Sequence, residues 1–475
     1  MLLMLPVLIP LFGGVLLLFL PSDKQKSVCA LFLGMTLCAV AGCTLLYDQL
    51  SLVWALPFDL SIAMKIDEVG LFFSLIFAFV WWVAMLESFP FFKEPPPQYY
   101  PCYLAAFGGL MGTCYSYNLV TFYLFFEIAS LVCFPLIILE QQKEDLEASR
   151  KYLFYALGGA FLGLISIFYF QSLDVAHPFT PGGAEGLAEV ANHGEILGFY
   201  FLAVVGFGSK AGLFPLHSWL KVADPCAPSP AAAVLSGINT KLGVLAILRL
   251  SYYVVGADLL RDTFAQRWGI TFALITIFLG SILAHRERQI KTRLAYSTLS
   301  QVAYIVFALL LFEEYAFVGA MLQMACHALG KSLLFLCAGQ LINQTGQTQV
   351  EPLEIYPFNR THALFGIGSL SLVGIPLTGG FVAKWYMGVG ALRVDSFQLL
   401  GVVVIIFSAI FTANYLFPLA IKPYFTDRPP SWAEKVVVDP REGRYSPILA
   451  IGLIVLGIFP YPILQFLITL AEKLC

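Results

Sequence analysis

The sequence predicts an all-α polytopic membrane protein with about fourteen transmembrane helices. Three observations predict it: the composition, a series of long apolar runs, and a lopsided distribution of basic residues between successive loops. Of 475 residues, 59% are hydrophobic and 12% charged, whereas soluble domains run near about 25% charged. The mean hydropathy is +0.81. The net charge of −3 excludes a nucleic-acid binder held by phosphate electrostatics. The ten cysteines form no CxxC and no His/Cys cluster. Cys38, Cys43, Cys133, Cys326 and Cys337 lie inside apolar runs and read as small packing residues, so no metal or haem site is expected.

A bilayer core about 30 Å thick needs about 20 apolar residues per helix. Such runs occupy 1–20, 28–47, 69–88, 101–117, 119–140, 150–171, 196–217, 230–253, 268–285, 293–312, 315–343, 362–392, 396–421 and 446–470. The first, "MLLMLPVLIPLFGGVLLLFL", has no basic leader and no small-residue cleavage site, so it reads as a membrane helix and not as a signal peptide. The fourth and fifth runs are separated only by "YN". The longest polar stretches, 172–195 and 422–445, read as surface loops. No linker or soluble domain interrupts the chain, which therefore reads as one membrane domain, 1–475.

Charge in the loops sets the orientation. Loops after odd-numbered helices hold 17 of the 27 lysines and arginines, and loops after even-numbered helices with the C-terminus hold 5. The positive-inside rule then places the odd loops in the cytoplasm and both termini outside. Arg249, near the outer end of the eighth run, is expected to snorkel to the interface. Four basic residues remain, all at membrane depth: Lys210, Lys241, Lys331 and Lys384. Among the acidic residues only Glu127 is comparably deep. Glu87 and Glu140 lie near helix ends.

A lysine or carboxylate at the centre of a membrane helix costs roughly 2.5–3.5 kcal/mol. Four lysines cannot all pair with one glutamate, so packing by ion pairs alone does not account for them. Two of them sit beside helix breakers. Lys210 precedes Pro215, and Lys384 follows Pro376, Gly379 and Gly380 in "LVGIPLTGGFVAKWYMG". Proline removes a backbone donor and clashes with the preceding turn. Broken backbone at membrane depth is tolerated only against protein or a water-filled cavity. Matching breaks in two halves point to the path of a transporter built from inverted repeats. The break recurs five helices on, from helix 7 to helix 12. The expected organisation is therefore N-terminal helices 1–3 over 1–100, inverted five-helix repeats over 101–253 (helices 4–8) and 268–421 (helices 9–13), and helix 14 over 446–470. The break beside Lys210 is expected to free backbone groups that hold water, so that the lysine exchanges a proton in an otherwise dry place. His327 and Lys331 stand at i, i+4 and share a helix face. Histidine titrates near neutrality and can relay protons.

Six segments, "FFEIASL", "GSKAGLFPLHSWL", "APSPAAAVLSGINTKLG", "RQIKTRLAYSTLSQVAY", "CHALGKSLLFL" and "LVGIPLTGGFVAKW", resemble the antiporter-like membrane subunits of respiratory complex I. That family includes the large subunits of Mrp-type cation/proton antiporters and of membrane-bound hydrogenases. The resemblance spans about residues 100 to 420, in consistent order. It implies that Glu127 pairs with Lys210, that Lys241 is the central lysine, that His327 and Lys331 bridge, and that Lys384 faces the exit. Lysine stands at 241 where some relatives have histidine, and at 384 where some have glutamate. After "HSWL" the family usually has a Pro and an Ala-His pair, where this chain has "KVADP". The chain ends at "AEKLC", without the long lateral helix of the most distal complex I subunit, so it resembles the other paralogues or the Mrp D-type subunit.

The expected function is proton translocation through a mid-membrane row of Glu127, Lys210, Lys241, His327, Lys331 and Lys384. Packed helices lie about 8–10 Å apart, and two ammonium groups about 9 Å apart repel by roughly 1.8 kcal/mol at an effective dielectric near 20. Protonation at one site therefore lowers occupancy at the next. No nucleotide, flavin, haem or iron–sulfur motif is present. The chain is expected to bind no cofactor, with iron–sulfur clusters or other redox centres in partner subunits. The expected partners are other membrane subunits, paralogous antiporter-like ones among them, a peripheral redox module and membrane lipid, with H⁺ as the transported ion and Na⁺ as the alternative. The expected location is a prokaryotic inner membrane. An Mrp-type sodium/proton antiporter without redox coupling is the second reading. A structural subunit that has lost transport is the third, and retention of every deep charge speaks against it.

Overall fold

The computed structural model describes residues 2–57, 60–139, 143–173, 178–394, 398–426 and 441–475. The predicted run ends at 140 and 396, Glu140, and 427–440 of the 422–445 loop lie outside the described residues. The chain is mainly helical. It opens with α1 (Leu5–Leu17), α2 (Ser22–Leu45), α3 (Glu68–Phe91), α4 (Tyr99–Tyr115), α5 (Leu119–Val132), α6 (Lys143–Gln171) and α7 (His193–Ala211). A short helix, Leu220–Cys226, leads into α8, which runs Ser229–Val255. Then follow α9 (Phe264–Arg286), α10 (Ile290–Leu309), α11 (Glu314–Thr345), α12 (Arg360–Val373), α13 (Gly379–Leu392), α14 (Gln398–Ile421), α15 (Ser446–Ile458) and α16 (Tyr461–Leu474). Among the described residues eight helices are individually long and apolar enough to cross a membrane, and α15 with α16, bent by 70°, makes up to nine.

Helix ends follow local chemistry. The "YN" boundary is real because Asn118 accepts from the Thr121 amide at 2.8 Å and starts α5, the side-chain cap that asparagine favours. Asp67, Thr263, Glu313 and Asn359 cap α3, α9, α11 and α12 in the same way.

Two expectations need correction. The chain is not wholly α: β1 (Ser51–Ala55) and β2 (Ser61–Lys65) form an antiparallel hairpin, with Val53 opposite Ala63. It is fixed to the α4–α5 turn, because the Ala63 amide donates to Thr121 Oγ1 and the Tyr117 amide to the Ala63 carbonyl. The run predicted as one helix over 446–470 is two, α15 and α16, bent by 70°, whereas the run over 362–392 is interrupted between α12 and α13, with four irregular residues after Gly374.

The centre of the molecule is α8 and α11. Every residue from 229 to 255 and from 316 to 341 is buried. The periphery is apolar: Phe19 just after α1, Phe154 on α6 and Leu399 on α14 are 80%, 74% and 73% exposed. An apolar exterior around a centre holding charged side chains is the arrangement a lipid solvent requires.

Candidate functional site

Lys241 occupies the middle of this centre. Its helix contains two π-turns, Leu235–Asn239 and Leu250–Val255. Such turns widen the helix and release carbonyls from its ladder. The Lys241 ammonium reaches back five residues to the Ser236 carbonyl at 3.0 Å and to Thr240 Oγ1 at 3.2 Å. Its third contact is His327 Nδ1 at 2.5 Å. Two glycines flank the lysine and set its neighbours. A Cβ at Gly237 would lie 2.2 Å from Ser332 Oγ on α11, and one at Gly243 would lie 2.5 Å from the Phe207 carbonyl on α7. Both helices therefore approach α8 more closely than any side chain would permit.

Lys210 is in the last turn of α7. The helix ends at Gly212, whose φ is +78°, a conformation glycine adopts without strain. Pro215 follows the end and does not cause it. Two of the groups at the break are met by protein: the Ser209 carbonyl accepts from Trp219 Nε1 at 2.8 Å, and the Phe214 amide donates to Thr276 Oγ1 at 2.9 Å. The Lys210 ammonium donates to the Tyr152 hydroxyl at 2.7 Å, and Asn239 Nδ2 donates to the same oxygen at 3.4 Å. Tyr152 thus joins Lys210 to the π-turn before Lys241. The expected Glu127–Lys210 ion pair is not formed. No contact within 4.0 Å joins the two, and Glu127 Oε1 is buried without a hydrogen-bond partner. The reason is packing: Gly159 and Gly206 let α6 lie directly against α7, which brings the hydroxyl to the ammonium.

Lys331 and His327 diverge in their contacts. His327 faces α8, whereas Lys331 donates to Ser297 Oγ at 2.8 Å and to the Leu294 carbonyl at 3.2 Å on α10. Tyr415 of α14 donates to the same Ser297 hydroxyl at 2.8 Å.

Lys384 sits one turn into α13. Its ammonium donates to the carbonyls of Leu372 at 2.6 Å and Val373 at 2.9 Å, two of the orphan carbonyls that a helix end leaves. The end of α12 repeats that of α7. Gly374 has φ +90°. The residue after each glycine donates back to the carbonyl five before it, Leu213 to Gly208 and Ile375 to Leu370, which is the Schellman closure. Gly374 is therefore the pivot of the second break. Gly379 and Gly380 start α13, and Pro376 lies in the gap.

Three carboxylates and one arginine that the sequence did not place in the row complete the centre. Arg249 does not snorkel. It is 1% exposed, makes a two-pronged ion pair with Asp67, and lies over the rings of Tyr253 and Phe179 at 4.6 and 5.1 Å. Glu87 accepts from the amides of Gly443 and Tyr445 and from the Ser446 amide and hydroxyl, closing the start of α15. Asp224, in "KVADP", is fully buried with neither oxygen hydrogen-bonded. The signal for Asp67 was its place before an apolar run. Nothing local marks the other two.

Four lysines and a histidine are thus buried, and each ammonium is held by hydroxyl, carbonyl or imidazole acceptors. Among the described residues no cluster of three or more histidine, cysteine or acidic side chains could hold a metal ion. The arrangement can hold protons and hand them on.

The comparisons with known proteins agree with this chemistry. The family model described as "NADH:quinone oxidoreductase/Mrp antiporter, TM" matches residues 116–412. The chain is 30% identical over 444 residues to NADH-quinone oxidoreductase subunit N of Desulforudis audaxviator, covering 88% of this chain and 86% of that one. It is 28% identical over 419 residues to the D-type subunit of the Na(+)/H(+) antiporter of Alkalihalophilus pseudofirmus, covering 84% and 83%. A chain of respiratory complex I from Thermus thermophilus superposes with a TM-score of 0.85 at 22% identity, covering 99% and 98%, which shows a shared fold. The matched segment runs from the α4–α5 turn into α14 and contains the whole row from Glu127 to Lys384, so the chain belongs to the NADH:quinone oxidoreductase/Mrp antiporter transmembrane family.

Proposed function

We propose that this chain is the proton-translocating membrane subunit of a multisubunit complex. Protons pass along Glu127, Lys210, Lys241, His327, Lys331 and Lys384, with Tyr152, Asn239 and Ser297 bridging. One observation carries this reading. Every deep ammonium in the row is held by neutral acceptors. A lysine paired with a buried carboxylate cannot give up its proton without stranding a charge. A lysine held by a hydroxyl or an imidazole can.

Redox chemistry in partner subunits drives the movement, as in a complex I-like or membrane-bound hydrogenase-like assembly, and the iron–sulfur clusters or other redox centres sit in those partners. This chain takes no part in electron transfer. It lies in a prokaryotic inner membrane against lipid and paralogous antiporter-like subunits, with both termini outside. Its fourteen crossings form one membrane domain containing inverted repeats over 101–253 and 268–421. The shared glycine closure at 212 and 374 supports that division. The 30% identity to NADH-quinone oxidoreductase subunit N supports redox drive. The likeness to the sodium/proton antiporter's D-type chain favours a second reading, sodium/proton exchange without redox coupling.

Mild-detergent purification of the tagged chain separates the two. Iron-bearing partners, with proton release on adding electron donor, support the first. Small hydrophobic partners without iron, and proton movement driven by a sodium gradient, support the second. Intact ion transport after Lys241→Ala would end both.

A further inference from the structure

The short helix Leu220–Cys226 separates two different environments. On one side is a cavity of about 430 Å³, lined by Lys221, Pro225 and Cys226 with Glu147 and Lys151 of α6. On the other side is Asp224, which is 0% exposed. The charges of three lysines from three helices pull on its carboxylate: Lys331 of α11, Lys241 of α8 and Lys291 of α10. Lys291 also holds the end of the short helix, donating to the Ala227 carbonyl at 3.0 Å. The Ser236 hydroxyl, also near Asp224, is bonded at 2.6 Å to Thr298 Oγ1. The Ser236 carbonyl holds Lys241, and Ser297, next to Thr298, holds Lys331.

A buried carboxylate kept for architecture has its oxygens satisfied, as Glu87 does through four donors. Neither oxygen of Asp224 makes a close hydrogen bond, and the groups that pull on it, the Ser236 hydroxyl and the charges of Lys331, Lys241 and Lys291, include the two central lysines of the row. We propose that Asp224 is the proton-uptake group of this chain, taking a proton from the cavity side of the short helix and delivering it to Lys241 and Lys331. The step balances simply. The carboxylate binds one proton as O–H, then passes it to a neutral amine, which leaves a carboxylate and an ammonium, and no electrons move. Burial pushes the Asp224 carboxyl up to about 7, against the opposing pull of Ser236, Lys331, Lys241 and Lys291. A group of that affinity both gains and loses a proton near neutrality. The proposal rests on the proton-path reading and assigns that path its cytoplasmic start.

The test uses the whole complex in inverted membrane vesicles, energised by its electron donor or by a sodium gradient, with a pH-sensitive dye. Asp224→Asn should cut proton movement at least about tenfold, and millimolar formate, a small diffusible acid, should restore part of it. Asp224→Glu should keep most of the rate, with its decline at high pH displaced from the natural protein's. Wild-type rates in Asp224→Asn, or a loss that neither formate nor glutamate relieves in an assembled complex, would overturn the proposal. Lys241→Ala is the control: if Lys241→Ala abolishes movement while Asp224→Asn does not, only the uptake role fails. If both variants are silent, the row itself is not the path. Should Asp224→Asn not assemble, the pH profile of Asp224→Glu decides, and an unshifted profile overturns the proposal.

Discussion

Lys241 and His327 are in direct contact, with Nζ 2.5 Å from Nδ1. A hydrogen bond between two nitrogens holds one hydrogen, so one partner donates and the other offers a lone pair. The far ring nitrogen, Nε2, is buried without a partner. The contact therefore lets the proton rest on either residue. His327→Leu removes the acceptor and is expected to lower stability by about 1–3 kcal/mol, the cost of an unsatisfied buried donor. His327→Gln keeps a polar partner but cannot take up a proton. It should unfold near the natural temperature while transport falls by about 100-fold. Thermal unfolding and dye-monitored transport on the same preparation check both, and full transport in the glutamine variant would remove His327 from the path.

Lys384 has two duties that one substitution can separate. Its ammonium closes the carbonyl end of α12, and it stands last in the row. Lys384→Met leaves the Leu372 and Val373 carbonyls without their donor. We expect a loss of about 1–3 kcal/mol for each carbonyl left bare together with loss of transport. Lys384→Gln can still donate one hydrogen bond, so it should regain part of the stability and none of the transport. Parallel recovery of both would mean that the lysine acts only as a cap.

The Arg249–Asp67 pair ties α8 to the start of α3. Removing one partner of a buried pair strands the other and costs about 3–5 kcal/mol, whereas replacing both by apolar groups is often neutral. Arg249→Met and Asp67→Leu should each lower the unfolding temperature strongly, and the double variant should recover most of it. Acid should act in the same direction. Burial alone would raise the Asp67 carboxyl, but the Arg249 charge and hydrogen bonds, with the Gly70 amide, hold it below its ordinary value. A lowered carboxyl contributes stability above its unfolded value of about 3.9, and that contribution is lost as pH falls through the folded value. Unfolding temperatures measured from pH 6 down to 3 should fall less steeply in the double variant than in the natural protein.

The sequence yielded the lysine row because membrane depth can be counted along a chain and charge there is rare. The contacts of that row were not legible. Tyr152 reads as one more aromatic in an apolar helix, and only the close approach of α6 to α7 turns its hydroxyl into the partner of Lys210. Asp224 and Arg249 sit near run ends, where sequence reasoning assigns charge to water. Their burial depends on the short helix 220–226 and on α3, both distant or irregular. The hairpin at 51–65 was missed because its strands are short and lie between two long helical signals. The breaks were found through their prolines, yet each pivots on the glycine before them. A positive φ belongs to glycine, whereas a proline after a helix end only forbids its continuation.

That distinction can be tested at the second break. A Cβ at Gly380 would lie 1.8 Å from the Ser371 carbonyl, so α13 starts where only glycine lets it rest on the end of α12. Gly380→Ala must push the two halves apart, at an expected cost of about 1–3 kcal/mol. Lys384 follows one turn later, so its hold on Leu372 and Val373 should loosen and transport should fall with stability. Gly388 lies on the same helix, and a Cβ there meets nothing within 4 Å. Gly388→Ala should leave the unfolding temperature unchanged or raise it slightly, since alanine is favoured over glycine in a helix by up to about 1 kcal/mol. Equal behaviour of the two variants in thermal unfolding would show that the halves are not in contact at Gly380. A fall confined to Gly380→Ala would place the tight point of the break at the start of α13.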